Sequence, residues 1–229
     1  MSFHKLMRVA KWALNFILPF VAVGFGRELM AVISHSSITT TRWSSFLIGG
    51  VMFVPIWFVA RRYIEAPAEY LATLEHELTH IIVGLLFFKR PLSLRVTARE
   101  GGAVILSGGN MWITLAPYFL PTLTLLLLPL SLVLPRNYEP ELLALLGATV
   151  AYHLLSTWSE VGVMQSDFRK AGVLQSIWLL PVANLVIYGS IIAYVIRDFK
   201  GFAHFWRAGS MNVLTSMWES TCYLLIGVL

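Results

Sequence analysis

The chain has 229 residues, of which 57% are hydrophobic and 13% are charged. Soluble domains average about 45–50% apolar and about 25% charged residues, so this composition excludes an ordinary soluble protein and predicts an integral, multi-pass membrane protein. The formal net charge of +5 comes from basic residues scattered at the ends of apolar runs, as expected for anchors at lipid headgroups, and it does not indicate a nucleic-acid partner.

Apolar runs of about 20 residues, long enough to cross a bilayer as helices, recur along the sequence. They predict an all-α polytopic membrane protein with six or seven transmembrane helices, in one membrane-embedded domain over residues 1–229. The six predicted spans are 12–34, 45–60, 71–88, 111–134, 141–158 and 173–196, and the seventh is 211–229.

The third run, LATLEHELTHIIVGLLFF at 71–88, contains ionisable residues, which are costly inside a bilayer and therefore indicate function. Residues 76–80 form an H-E-x-x-H motif. On a helix, the four-residue spacing puts His76 and His80 one turn apart on one face, where both imidazoles can bind one zinc ion. Glu77 lies beside them, and we expect it to take a proton from the attacking water and pass it to the leaving amine.

A third zinc ligand is needed, because a catalytic zinc takes three protein ligands and keeps one position open. Residues 151–172, AYHLLSTWSEVGVMQSDFRKAG, contain His153, Glu160 and Asp167 at intervals of seven residues. On a continuous helix this spacing would place all three along one stripe. The residues alone leave the choice among them open.

The loop after the motif, PLSLRVTAREGGAVILSGG at 91–109, alternates apolar and polar residues on either side of a glycine pair. This pattern predicts a small β-hairpin. A hairpin edge can pair with an extended substrate segment, so we expect Val104, Ile105 and Leu106 to contact substrate; a structural hairpin in the headgroup layer is the alternative. Asn110 is a candidate for binding the substrate backbone, or else a helix N-cap.

A short polytopic chain with H-E-x-x-H in a span, followed by a hairpin and by spans that supply an aspartate, resembles the site-2 protease family of intramembrane zinc metalloproteases, in its compact form without a PDZ domain. The segment NMWITLAPYFLP at 110–121 is similar to the Pro-containing span that follows the hairpin there. The resemblance covers residues 60–196 as the catalytic core. It implies one zinc ion held by His76, His80 and an aspartate, and the aspartate that best matches the family's L-D-G-like motif is Asp167, in QSDF.

The resemblance implies an endopeptidase that cleaves transmembrane segments of membrane-protein substrates by metal-activated water. The implied partner is a membrane-protein substrate with a single transmembrane helix. The absence of a PDZ-like insertion suggests that a regulatory membrane partner or prior cleavage selects the substrates. Two alternatives stay open. A Glu160 ligand would resemble a gluzincin-type membrane peptidase, and a closed shell with His153 joining Asp167 would indicate a non-proteolytic protein with a structural or metal-handling zinc site.

Overall fold

The structure, a computed structural model of the chain, describes residues 3–36, 40–97, 101–160 and 166–226. Helices dominate it, and a two-stranded antiparallel sheet follows the third helix. The contacts divide the chain into two compact units, one of Met1–Ser37 with Leu174–Leu229 and the other of Ile38–Val173. The elements in chain order are α1 (Phe3–Ser34), α2 (Thr41–Tyr63), α3 (Glu65–Leu86), β1 (Pro91–Thr97), β2 (Gly101–Leu106), α4 (Met111–Leu115), α5 (Thr122–Leu127), α6 (Glu139–Glu160), α7 (Ser166–Ala171) and α8 (Val173–Ile226).

Four helices within the described ranges are long and apolar enough to cross a membrane, and a fifth candidate is a bent pair, Met111–Tyr118 with Thr122–Leu132, whose two parts meet at 88°. A total of six or seven spans stays a prediction. α3 forms where the span 71–88 was predicted, but it is not among these candidate spans, because its glutamates make it more polar than they are. The four straight candidates are Trp12–Ser34, Thr41–Tyr63, Arg136–Glu160 and Val173–Tyr223.

α8 covers the region where the sequence predicts two separate spans. Its backbone leaves helical geometry at Arg197 (φ −137°, ψ 22°) and Asp198 (φ 61°, ψ −156°). A positive φ is disfavoured for a residue that carries a Cβ, so this point interrupts the helix. The kink coincides with the end of the predicted span 173–196, and the helix that resumes after it includes residues that the prediction left between spans.

In the first unit, α1 packs closely on α8 at small residues. A Cβ built on Gly24 would lie 2.5 Å from Val213 Cγ2, and one built on Gly209 would lie 2.7 Å from Phe25 Cδ1. The rings of Phe25 and Phe205 are 5.3 Å apart, and Phe205 is fully buried. Glycine therefore lets the two backbones approach, as is common between membrane helices.

In the second unit, α2 and α6 cross with almost no space between their backbones. A Cβ on Gly49 would lie 1.8 Å from the carbonyl oxygen of Ala144, and a Cβ on Gly147 would lie 1.9 Å from that of Phe46. Only glycine fits at either position without moving the main chain. This packing fixes α6 against α2, and the last residue of α6 lies at the site described below.

The predicted hairpin is present and lies against α3. β1 and β2 pair antiparallel, with Leu94 opposite Val104 and Val96 opposite Gly102. Leu106 packs on α3 at Gly84, where an added Cβ would lie 2.8 Å from Leu106 Cδ1. Part of the predicted turn, residues 98–100, lies outside the described residues.

Candidate metal centre

The H-E-x-x-H motif lies on α3 as the spacing predicts, with the His76 and His80 rings 5.0 Å apart between centroids. The Nε2 atoms of both histidines lie 3.5 Å from Oδ2 of Asp167, in the first turn of α7. One ligand atom from each of the three residues lies within 4.8 Å of the others. Two imidazole nitrogens and a carboxylate oxygen that converge in this way have the chemistry of a three-ligand zinc site.

The opposite nitrogen of each ring has its own acceptor. Nδ1 of His80 lies 2.8 Å from the carbonyl oxygen of Ile113, and Nδ1 of His76 lies 2.8 Å from Oε2 of Glu160. Because a carbonyl or carboxylate oxygen accepts, each Nδ1 donates its hydrogen. In its neutral form, each ring would then have the Nε2 lone pair on the side of Asp167, which is the tautomer that a metal ligand needs.

The other two residues of the predicted polar stripe lie in different surroundings. Glu160 contacts the far nitrogen of His76, outside the group of three. His153 is buried on α6, with Nδ1 3.7 Å from Oε1 of Glu75, and it is not among the described residues that line the cavity at the site. The structure thus brings Asp167 to both motif histidines, Glu160 to one of them, and His153 to neither.

Glu77 is buried beneath the hairpin. A Cβ built on Gly102 would lie 2.6 Å from Cγ of Glu77 and 2.7 Å from Cγ2 of Thr73. The glycine therefore allows β2 to lie directly on the glutamate that follows His76. Any larger residue at this position has to displace either the strand or the Glu77 side chain.

The position of α3 is fixed by contacts with neighbouring helices. The Oγ1 atom of buried Thr79 lies 2.6 Å from that of Thr122 on α5. Arg61, at the end of α2, donates to Glu69 on α3 at 3.1 Å and to Ser159 on α6 at 3.2 Å. These bonds hold the motif helix against the elements that supply the rest of the site.

A cavity of about 680 Å³ opens at the three converging residues and at Glu77. Val104, Ile105 and Leu106 of β2 line it, as do the small residues that precede them. Asn110 is not among the described lining residues; its Oδ1 accepts from the backbone N–H of Ile113 at 2.9 Å and so caps α4. The cavity is therefore bounded by the motif helix on one side and by β2 on another.

Among the described residues, the side chains of Tyr118, Lys170 and Ser166 also contact Asp167. The hydroxyl of Tyr118 donates to Oδ2 at 3.3 Å, whereas Lys170 Nζ and Ser166 Oγ donate to Oδ1 at 3.3 and 3.5 Å. The only sequence signal for Tyr118 is its place between Pro117 and the next proline of a bent apolar run. Lys170 follows Asp167 by one helical turn, which is the usual spacing of a local ion pair.

A protein-family model described as Peptidase M50B-like matches residues 47–197. This range is more than half of the chain, and it contains all of the site residues described above. Comparison with curated proteins and with solved structures gives no significant match.

Proposed function

Because the chain belongs to the Peptidase M50B-like family, the family of the site-2 proteases, we propose that it is a zinc-dependent intramembrane endopeptidase. The observation that carries the proposal is the convergence of one ligand atom from each of His76, His80 and Asp167 within 4.8 Å, next to the buried Glu77. Family membership supports a peptidase, and these side chains support a metal-dependent one.

We assign His76, His80 and Asp167 as the ligands of one zinc ion. When bound there, zinc would activate water and polarise the scissile carbonyl group. The converging group contains three ligands within the described ranges, and a three-ligand zinc site keeps one position open for catalysis. This donor set favours the protease over a closed, structural zinc site.

Glu77 acts as the general base and then as the general acid. Its carboxylate takes a proton from the water that attacks the scissile carbonyl carbon, and it later gives that proton to the amide nitrogen. The C–N bond then breaks, which leaves a carboxylic acid and an amine. The contact between Glu77 and Gly102 places this group directly against the strand proposed to bind the substrate.

The second strand of the hairpin presents the substrate. β2 pairs with β1 along one edge, and the described sheet contains these two strands, so the other edge of β2 offers backbone groups to a further strand. The residues Gly101–Ala103 line the cavity with little side-chain bulk. A transmembrane helix hides its amides in internal hydrogen bonds, so a substrate must unwind before its scissile bond can pair with β2 and reach Glu77.

The substrate class is a membrane protein with a single transmembrane helix, and the protease is itself integral to a membrane. Its several apolar helices support this location. We also propose a regulatory membrane partner that brings the substrate to the cavity, since pairing with β2 would recognise the substrate backbone rather than particular side chains.

Cleavage of a single-span helical reporter by the detergent-purified protein tests the proposal. Glu77→Gln is expected to keep zinc and to lose activity by about 10²- to 10⁴-fold, because it removes only the proton acceptor. Glu141→Gln, at an exposed position of α6, is the matched control and is expected to cut like the wild type. Undiminished cutting by Glu77→Gln, or no cutting by zinc-loaded wild type, would contradict the proposal.

A further inference from the structure

Tyr118 ends a 3-10 turn, Ala116–Tyr118, at the point where the apolar run between α4 and α5 bends by 88°. Only 4% of the residue is exposed, yet it lines the cavity at the candidate metal centre. The break in the helix brings a phenol hydroxyl next to the histidines and carboxylates of the site. Nothing in the general-base mechanism described above uses this hydroxyl.

Tyr118 contacts one particular oxygen of Asp167, and this choice of oxygen indicates its role. Both histidine Nε2 atoms face Oδ2, and the Tyr118 hydroxyl donates to this same oxygen at 3.3 Å. The other donors on Asp167, Lys170 and Ser166, contact Oδ1 instead. Tyr118 therefore offers its hydrogen on the side of the carboxylate where the three ligand atoms converge.

The Tyr118 ring is held in place on two sides. It lies 5.3 Å from the His76 ring in an edge-on arrangement and 4.7 Å from the Phe168 ring. A donor fixed in advance loses little freedom when it binds a developing charge, which is the property of an effective oxyanion donor. The Lys170 side chain, by comparison, is 67% exposed.

We propose that Tyr118 is a further catalytic residue, whose hydroxyl donates a hydrogen bond to the oxyanion that develops on the scissile carbonyl. At 3.3 Å its bond to Asp167 is longer than the 2.7–2.8 Å typical of O–H···O bonds. A bond to a developing oxyanion is charge-assisted and stronger, so the hydroxyl can exchange one acceptor for the other. The hydrogen stays on tyrosine, and no covalent bond to Tyr118 forms. This inference rests on the proposed peptidase function.

The competing role for the hydroxyl is to hold Asp167 in place. The two roles predict different defects in Tyr118→Phe, which keeps the ring and its contacts with His76 and Phe168. Loss of a positioning contact would weaken zinc binding, and added zinc would restore activity. Loss of an oxyanion donor would leave zinc binding unchanged and would act on the transition state alone.

The experiment compares wild type, Tyr118→Phe and Tyr152→Phe at saturating zinc. Tyr152 is the matched control, because its ring packs against Phe53 and Trp57 and it is not among the described residues that line the cavity. The measurements are zinc content, kcat and KM on the reporter, and the Kd of a phosphinic-acid peptide, whose tetrahedral phosphinate mimics the transition state.

Tyr118→Phe is expected to keep its zinc and its KM, to lose kcat by about 10²-fold, and to bind the phosphinic peptide correspondingly more weakly. Tyr152→Phe is expected to match the wild type in all of these measurements. Wild-type kcat and phosphinate affinity in Tyr118→Phe would overturn the inference. Loss of zinc or of the folded state in this variant would assign the hydroxyl to structure and would equally overturn it.

Glu77→Gln, measured in the same series, separates this inference from the proposed function. If zinc-loaded wild type fails to cut the reporter, or if Glu77→Gln cuts equally well, the peptidase proposal is wrong and the Tyr118 inference falls with it. If both behave as expected and Tyr118→Phe matches the wild type, only the inference about Tyr118 is wrong.

Discussion

Nδ1 of His76 lies 2.8 Å from Oε2 of Glu160, while Nε2 of the same ring lies 3.5 Å from Oδ2 of Asp167. The end of α6 and the start of α7 thus contact opposite nitrogens of one imidazole. A carboxylate behind a ligating histidine fixes the ring's tautomer and orientation and makes it a stronger donor to the metal. We infer that Glu160 orients His76 and does not itself bind the zinc ion.

Glu160→Gln is expected to lower zinc affinity by about 10- to 100-fold, the usual effect of losing such an orienting partner. Activity should return when zinc is added in excess, because all three ligands remain. Zinc titration with a competing chelator measures the affinity, and Glu141→Gln on the same helix is the control. A variant that binds no zinc at any concentration would instead identify Glu160 as a ligand.

Gly102→Ala is expected to reduce kcat and leave zinc content unchanged. The new Cβ would lie 2.6 Å from Cγ of Glu77, and a displacement of about 1 Å in a catalytic group costs up to about 10²-fold in rate. Reporter kinetics and zinc analysis of the purified variant check this expectation.

A second substitution tests the cause of that defect. The Cβ would also lie 2.7 Å from Cγ2 of Thr73, so Thr73→Ser in the Gly102→Ala background should recover part of the lost rate by opening space beside Glu77. Gly26→Ala, where the added Cβ would have only Leu185 Cδ2 at 3.9 Å, is the control for glycine replacement. A fully active Gly102→Ala protein would show that β2 does not constrain Glu77.

Gly147→Ala is expected to destabilise the fold by about 1–3 kcal/mol, the usual cost of overpacking a tight contact. Its Cβ would lie 1.9 Å from a main-chain oxygen of α2, which a side-chain rotation cannot relieve. Thermal unfolding in detergent should show a lower Tm than for wild type or Gly26→Ala. An unchanged Tm would mean that α2 and α6 are farther apart than described.

Substrates with weak helices are expected to be cut faster. Each glycine introduced into a helix costs about 1 kcal/mol relative to alanine, so two glycines beside the cleavage site should raise kcat/KM by up to about 30-fold by easing unwinding. The cleavage site is first mapped by mass spectrometry, and the same two glycines at the far end of the span provide the control. Equal rates for all three reporters would argue against binding of an extended substrate by β2.

The local periodicity of the sequence predicted the motif helix and the hairpin well. A four-residue spacing puts His76 and His80 on one face of any helix, and alternation with a glycine turn specifies two strands. Both features depend only on neighbouring residues. The sequence also predicted that a span ends at residue 196, and this position coincides with the kink at Arg197 and Asp198.

The regular spacing of His153, Glu160 and Asp167 had a different outcome. The spacing predicted one stripe only on the condition that the helix continued from His153 to Asp167. The structure describes α6 as far as Glu160 and places Asp167 in α7, and residues 161–165 lie outside the described residues. His153 lies beside Glu75, and Glu160 contacts Nδ1 of His76. Asp167 lies beside the Nε2 atoms of both His76 and His80. Periodicity cannot describe residues beyond the end of a helix, and the family resemblance rather than the spacing singled out Asp167.

Tyr118 and Gly102 were not identified because their roles depend on contacts between distant parts of the chain. Tyr118 reaches the site only because the run between α4 and α5 bends by 88°. Gly102 matters only because β2 lies on α3, a contact that no local pattern encodes. The convergence of His76, His80 and Asp167 was thus expected from the motif and the family resemblance, whereas the residues that orient and enclose these side chains required the tertiary structure.

Zinc content, measured on purified wild type, Asp167→Ala and Glu77→Gln after dialysis against a weak chelator, tests the central claim most directly. The account predicts about one zinc per chain in wild type and in Glu77→Gln, and almost none in Asp167→Ala, because three ligands are needed to hold the ion. Full zinc content in Asp167→Ala, or zinc loss in Glu77→Gln, would contradict the assignment of ligands and base.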